Sequence, residues 1–218
     1  MPLKHPEFPT QEEDLTKGET IQRILEEGTD GDLERLRVFA EQRTGTKIPW
    51  ERMELIRAFA HQRRRHVKQA HKEAKERIAN NPKATDEEYR LSVYREWIEP
   101  PSRDAVFALY RKGYPTYESG FGGAENQNMR FNPAVPELES YTPSEAVQSA
   151  FQEMGAKLLI NQEAVSFTMT KLLSDEELKM LWDLLAEDIP TLSTQRKRHN
   201  VEKHSEFQQE QDARFGAR

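Results

Sequence analysis

The longest helical pattern of the chain covers residues 49–79, which read PWERMELIRAFAHQRRRHVKQAHKEAKERIA. Pro49 suits the first position of a helix because its φ angle is fixed, and Asn80-Asn81-Pro82 ends the pattern. At a rise of 1.5 Å per residue, a helix of this length would extend for roughly 45 Å. The sequence therefore predicts that one long helix organises the N-terminal half of the protein.

One side of this long helix is apolar. A rotation of about 100° per residue brings eight apolar side chains onto one arc, with Arg63 in its middle. These are Met53, Ile56, Phe59, Ala60, Val67, Ala70, Ala74 and Ile78. The side chains are large at the start of the arc and small towards its end. We therefore expect the first half of the helix to lie in a core, and the second half to project or to pack closely against a partner.

Another side of the long helix is basic. Between His61 and Arg77 the sequence has seven Lys or Arg residues and two Glu residues. Seven side chains, here named the cationic face, fall within an arc of roughly 100° that excludes both glutamates: Arg57, His61, Arg64, Lys68, His71, Lys72 and Lys75. They are the candidate contacts for an anionic partner, either phosphates or an acidic protein surface. The alternative is a solvated face, or one paired with the chain's own acids such as Glu12, Glu13, Glu26 and Glu27.

Shorter helices flank the long one. We predict helices at about 19–27, from Asp30 or Asp32 to Gly45, and from a capping box that begins at Thr85. Residues 1–17 contain three prolines and little to bury, so we expect a flexible arm there. Residues 18–99 should form the helical region, which ends at Pro100-Pro101.

The pattern changes in residues 102–191, which we predict to form a small α+β domain. After a helix capped by Ser102, alternating polarity indicates strands at 116–121, 128–131, 157–160 and 164–170. Two further helices should start at Thr142-Pro143-Ser144-Glu145 and at the capping box Ser174-Asp175-Glu176-Glu177. The predicted fold class is α+β and predominantly helical, with a small antiparallel sheet whose helices pack on one face. Residues 192–218 are charged and rich in Gln, and we expect a flexible tail.

Composition narrows the classes of function. The 218 residues carry a formal net charge of −6, so any attraction to nucleic acid must be local. With no cysteine, the chain has neither disulfides nor thiolate ligands. The polar first 20 residues are unlike a signal peptide, and no apolar stretch approaches the roughly 20 residues needed to span a bilayer. We expect a cytoplasmic protein without membrane contact.

The candidates for chemistry are few. Neighbouring histidines of the long helix are five residues apart, which points them about 140° away from each other and disfavours a shared metal. Residues 102–191 contain no histidine, so acid–base chemistry there would depend on groups such as Glu118 and Glu125, which flank a glycine-containing loop. That loop matches neither a phosphate-binding loop nor a nucleophile elbow. We therefore predict no catalytic, cofactor-binding or metal-binding residue.

Three hypotheses about function follow. The first is a noncatalytic intracellular protein-interaction or scaffold protein, in which the long helix binds a protein partner or a second copy. The second is sequence-nonspecific binding of a nucleic-acid backbone through the cationic face, since neutralised phosphates release counterions. The third is a carboxylate-based enzyme around Glu118 and Glu125.

Overall fold

The structure is a computed structural model that describes residues 18–80, 98–122 and 125–215. The chain forms two compact units, which divide between Arg65 and His66. Seven α-helices and one four-stranded antiparallel sheet occur among the described residues, and helix predominates. The predicted α+β, mostly helical fold is confirmed. The arm at 1–17 and the helix predicted to start at Thr85 lie outside the described residues.

The N-terminal unit consists of α1 (Gly18–Glu27), α2 (Asp30–Thr44) and the first part of α3 (Trp50–Asn80). Thr29 and Asp32 form a reciprocal cap at the start of α2, in which each side chain accepts the other's backbone N–H, at 3.2 and 2.9 Å. At the other end Gly45 has a left-handed backbone, with φ of 67°. The core of the unit contains Ile24, Leu25, Leu33, Leu36, Met53 and Ala60.

The bounds of α3 match the predicted long helix to within one residue at each end. Its buried side differs from the predicted arc, however. Arg63 and Val67 are only partly buried, whereas Gln62 and His66, one position earlier, are buried. The buried positions 59, 62, 66, 70 and 74 recur every three or four residues, so the side chains on the packing side include polar ones. Ala70 and Ala74 of the second unit are buried, so these two small side chains of the arc are packed rather than projecting.

The C-terminal unit contains the remaining elements. Its helices are α4 (Arg103–Lys112), α5 (Glu145–Glu153), α6 (Asp175–Asp188) and α7 (Thr194–Phe215), with single 3-10 turns at Pro100–Ser102 and Pro136–Glu139. Its strands are β1 (Thr116–Phe121), β2 (Asn126–Phe131), β3 (Ala156–Ile160) and β4 (Ala164–Met169). Every pairing is antiparallel and the strand order is β1-β2-β4-β3, which makes β3 an edge strand of the described sheet.

The core of this unit lies between the sheet and the helices α5 and α6. Val165, Phe167 and Met169 of β4 are buried, which is the face that their alternation predicts. The ring of Phe167 lies 4.9 Å from the ring of Trp182 and 5.2 Å from that of Phe151. Trp182 also donates its indole N–H to Oε1 of Gln127, at 3.1 Å. The aromatic side chain of Phe167 in β4 therefore packs against one helix through Phe151 of α5 and against another through Trp182 of α6.

The structure differs from the sequence analysis after residue 192, where it has the helix α7 in place of the expected flexible tail. Two polar residues one turn apart, Asn200 and His204, are buried. Asn200 donates from Nδ2 to the carbonyl of Gly113 at 2.9 Å, and Nδ1 of His204 lies 3.1 Å from the carbonyl of Asn132. Because hydrogen bonds rather than apolar side chains fix these positions, hydrophobic periodicity does not reveal them.

We expect Trp182→Ala to lower the free energy of unfolding by about 3–5 kcal/mol, since it empties the largest fully buried site and leaves Gln127 without its donor. Urea unfolding followed by circular dichroism measures the change. Met180→Ala is the matched control on the same helix, because Met180 is 42% exposed and its truncation should change stability by less than about 0.5 kcal/mol. Equal losses in both variants would contradict the described packing.

Candidate functional site

Two members of the cationic face belong to the N-terminal unit and are paired there. The Nη1 atom of Arg57 lies 2.7 Å from a carboxylate oxygen of Asp30, and its Nη2 donates to the carbonyl of Gly28 at 2.6 Å. Arg64 forms ion pairs with Glu26 and Glu27. The acids of the same chain therefore neutralise part of the cationic face, and His61, also in this unit, is exposed.

The remaining members lie in the C-terminal unit. His71 is half-buried, whereas Lys68, Lys72 and Lys75 are exposed on one side of α3 and are here named the lysine row. Lys72 has a long contact of 3.9 Å with Glu76, a pair so exposed that it contributes little stability. Within the described part of the chain, Lys68 and Lys75 form no ion pair. The lysine row is thus the least neutralised part of the cationic face.

The two candidate carboxylates have different settings. Glu118 lies on β1 directly across from Arg130 of β2, and their charged atoms are 3.6 Å apart with both side chains about half exposed. Glu125 precedes β2, and its carbonyl accepts the backbone N–H of Met169 at 2.9 Å. A cross-strand ion pair on a solvated surface gives Glu118 a structural partner.

The structure also reveals a group of three side chains that the sequence analysis does not connect: His66, Glu99 and Asp175, here named the His66 cluster. His66 is fully buried on α3. Its Nε2 lies 2.8 Å from a carboxylate oxygen of Asp175, and its Nδ1 lies 3.3 Å from a carboxylate oxygen of Glu99. One imidazole therefore contacts carboxylates from two segments that are distant in sequence.

The surroundings of Glu99 explain why the cluster forms. Its second carboxylate oxygen accepts the backbone N–H of Phe121 at 3.0 Å, and the ring of Phe121 lies 5.7 Å from the imidazole of His66. Gly120 has φ of 106°, a conformation that favours glycine, and a Cβ at this position would overlap the Glu99 carboxylate. A glycine in β1 thus makes room for a buried carboxylate.

The charge of His66 follows from two opposing effects. Burial disfavours the charged imidazolium and by itself lowers the pKa of His66, but the hydrogen bonds and charges of Glu99 and Asp175 outweigh burial. The pKa of His66 is therefore raised above its usual value. His204 has the opposite setting, since burial lowers its pKa and the Asn132 carbonyl offsets this only in part.

The His66 cluster has the chemistry of a structural ion cluster. Because the imidazole is fully buried and contacts a carboxylate through each nitrogen, it has neither exposed surface nor a nitrogen available to a substrate. The described residues also contain no group of three or more His, Cys, Asp or Glu side chains that could hold a metal ion. The arrangement fastens α3 to the start of α6 and to the segment before α4.

One signal in the sequence could have revealed His66. Gln62, His66, Ala70 and Ala74 recur every four residues, which continues the buried side of α3 from Phe59. Glu99 and Asp175 give no such signal, because each lies where helix boundaries already explain an acid. Their shared partner is visible only in three dimensions.

Comparison with protein families, with curated proteins and with solved structures gives no match. Among the described residues, the longer helices are too polar for any of them to cross a membrane. The case for function therefore depends on the geometry of this chain.

We expect His66→Gln to lower the free energy of unfolding by about 3 kcal/mol at slightly acidic pH, because it leaves two carboxylates without their cation. In the unfolded chain the pKa of His66 is near 6.5, and in the folded protein it is higher. The stabilisation is thus complete below about pH 6.5 and is lost as the pH rises through the folded-state pKa. Urea titrations between about pH 5.5 and about pH 9 measure this effect. The difference in the free energy of unfolding between the parent and the variant should become smaller as the pH rises.

His204→Gln provides the control for this pH dependence. Because the pKa of His204 is lowered in the folded protein, its neutral form stabilises most above about pH 6.5, and the contribution falls as the pH drops. His66 is intact in the His204→Gln variant. The free energy of unfolding of this variant should therefore still fall as the pH rises above neutral, as it does in the parent. A gap between parent and His66→Gln that is constant over the whole pH range would refute the ion cluster.

Proposed function

We propose that the protein is a noncatalytic cytoplasmic interaction protein that binds an acidic surface of a partner protein through the lysine row of α3. The observation that carries this proposal is the exposure of Lys68, Lys72 and Lys75 on one side of a helix whose other side is buried. Three cations at spacings of four and three residues form a continuous strip along the helix. Such a strip suits the carboxylates of a protein surface.

The helix that carries the lysine row is fixed at several points. His66 is held by two carboxylates, and Ala70 and Ala74 are buried on the same side of α3. Glu73, between these alanines, forms an ion pair with Arg103 of α4. A backbone that is already ordered loses little conformational entropy when its side chains bind, which favours affinity.

Local charge also supports an acidic partner. The chain as a whole has a net charge of −6, so the lysine row is a positive strip on an acidic protein. Opposite charges at the rim of an interface steer a partner and set its orientation. Arg57 and Arg64 contribute less to this attraction, since acids of the N-terminal unit already pair with them.

A nucleic-acid partner is less well supported by the same geometry. Three lysines can neutralise about three phosphates, which predicts weak binding and a modest dependence on salt. Residues 66–80 contain no Phe, Tyr or Trp on which a base could stack. This possibility, and association with a second copy through the same strip, are outcomes that the test distinguishes.

The test compares two triple variants of equal charge. Lys68→Glu, Lys72→Glu and Lys75→Glu together should weaken binding of a partner by about tenfold or more, because attraction becomes repulsion. The matched control changes three exposed cations elsewhere: Lys47→Glu, Lys171→Glu and Arg198→Glu. Affinity capture from cell extract with mass spectrometry identifies the partner, and titration of that purified partner against both variants measures the affinity.

Three results would contradict the proposal. The first is an equal loss of affinity in both triple variants, which would indicate a general charge effect. The second is tight, salt-dependent binding of duplex DNA or RNA that only the lysine-row variant loses. The third is self-association that the lysine-row variant abolishes, measured as mass in solution by light scattering.

A further inference from the structure

A second surface, on the C-terminal unit, combines the edge of the described sheet with an apolar cavity. β3 pairs with β4 on one side, and no described strand pairs with its other side. The cavity, of about 420 Å³, lies between β3, α5 and the segment before α5. Its lining includes the apolar or aromatic side chains of Phe151, Leu158, Ile160, Tyr141 and Pro143.

The hydrogen bonds of β3 show which backbone groups face the open edge. The carbonyl of Gly155 accepts the N–H of Thr170 at 3.0 Å, and the N–H of Asn161 donates to the carbonyl of Ala164 at 3.0 Å. Odd-numbered residues of this strand therefore direct their backbone groups towards β4. Because successive residues alternate, Ala156, Leu158 and Ile160 direct their N–H and C=O groups to the open edge.

The side chains of the same three residues line the cavity. Ala156, Leu158 and Ile160 lie directly across from Met169, Phe167 and Val165, which are buried on the inner face of the sheet. An added strand that bonds to these three backbones would place its opposite side chains on the same face. In an incoming strand, the alternate residues that form the backbone hydrogen bonds are thus the same residues whose side chains face the cavity.

The outer face of β3 adds a requirement for charge. Lys157 and Leu159 point to this face, where Lys157 is exposed and Leu159 is 63% exposed. Within the described residues Lys157 forms no ion pair. An acidic residue directly opposite Lys157 would form a favourable cross-strand pair. Pairing with the same edge of a second copy would instead bring two Lys157 side chains to one face, where they repel each other.

We propose that the open edge of β3 binds an extended segment of a partner protein, in which alternate residues are apolar and the residue opposite Lys157 is acidic. The segment runs antiparallel to β3. From the position opposite Ile160 to the position opposite Ala156, its five residues are in turn apolar, of any type, apolar, acidic and apolar. The backbone hydrogen bonds provide affinity and the cavity provides specificity. This surface is separate from the lysine row, so the inference does not depend on the proposed function.

The probe is the blocked peptide acetyl-Ser-Val-Thr-Val-Glu-Val-Ser-amide, added to the isotope-labelled full chain. Hydrogen exchange measured by NMR should slow at the amides of Ala156, Leu158 and Ile160. The amides of Lys157 and Leu159, which already face β4, should change little. This two-residue period distinguishes strand addition from unspecific binding in the cavity.

A charge exchange tests the acidic position. Lys157→Glu should weaken binding of the glutamate peptide by about 3- to 10-fold, and replacing that glutamate with lysine should restore the affinity. Lys47→Glu, at an exposed position in the N-terminal unit, should leave the affinity unchanged. The absence of binding at millimolar peptide, exchange protection without the two-residue period, or a peptide-free dimer that protects the same three amides would each overturn the inference.

Discussion

A buried imidazole between two carboxylates is the interaction on which the arrangement of the C-terminal unit depends. Taking His66 and Glu99 out of water is costly, and the cost is offset only if their partners are correctly placed. Glu99 in turn needs the Phe121 N–H and the space that Gly120 leaves. The cluster therefore fixes α3, β1 and the start of α6 against one another. A purely apolar contact at this place would tolerate sliding, whereas paired charges require one register.

Polar groups on packing surfaces recur in this unit. Asn200 and His204 attach α7 to backbone carbonyls, and Gln127 accepts the indole N–H of the buried Trp182. This usage is consistent with a chain in which only 35% of residues are hydrophobic. Because directional hydrogen bonds contribute specificity where apolar area is limited, the fold can remain ordered with modest cores.

Local signals account for the parts of the fold that the sequence predicts well. The capping box at Ser174 and Glu177 marks the start of α6, and both of its hydrogen bonds are present. Alternation in β4 identifies Val165, Phe167 and Met169 as its buried residues. The bounds of α3 follow from Pro49 and from the asparagines at its end. In each case the determining residues are within a few positions of one another.

The candidate sites likewise have one part that local sequence patterns predict and another part that only the structure shows. The helical period alone places Lys68, Lys72 and Lys75 on one side of α3, but only the structure shows that Arg57 and Arg64 are paired with acids of the same chain. The buried side that the helical projection predicts is also displaced by one residue from the observed one, since the projection relies on hydrophobicity and so places Val67, rather than His66, on the buried side. Histidine is buried there because its partners come from elsewhere in the chain.

The sequence by itself determined the helices α1 to α6, the four strands, the basic strip on the long helix and the mostly helical α+β class, because these depend on caps, breakers and periodicity over short distances. Only the tertiary structure decided the strand order β1-β2-β4-β3, the open edge of β3, the packing of α7 and the His66 cluster. The partners of His66 are 33 and 109 residues away. Pairing over such separations is set by the folded chain as a whole, since no local pattern specifies which distant groups will meet.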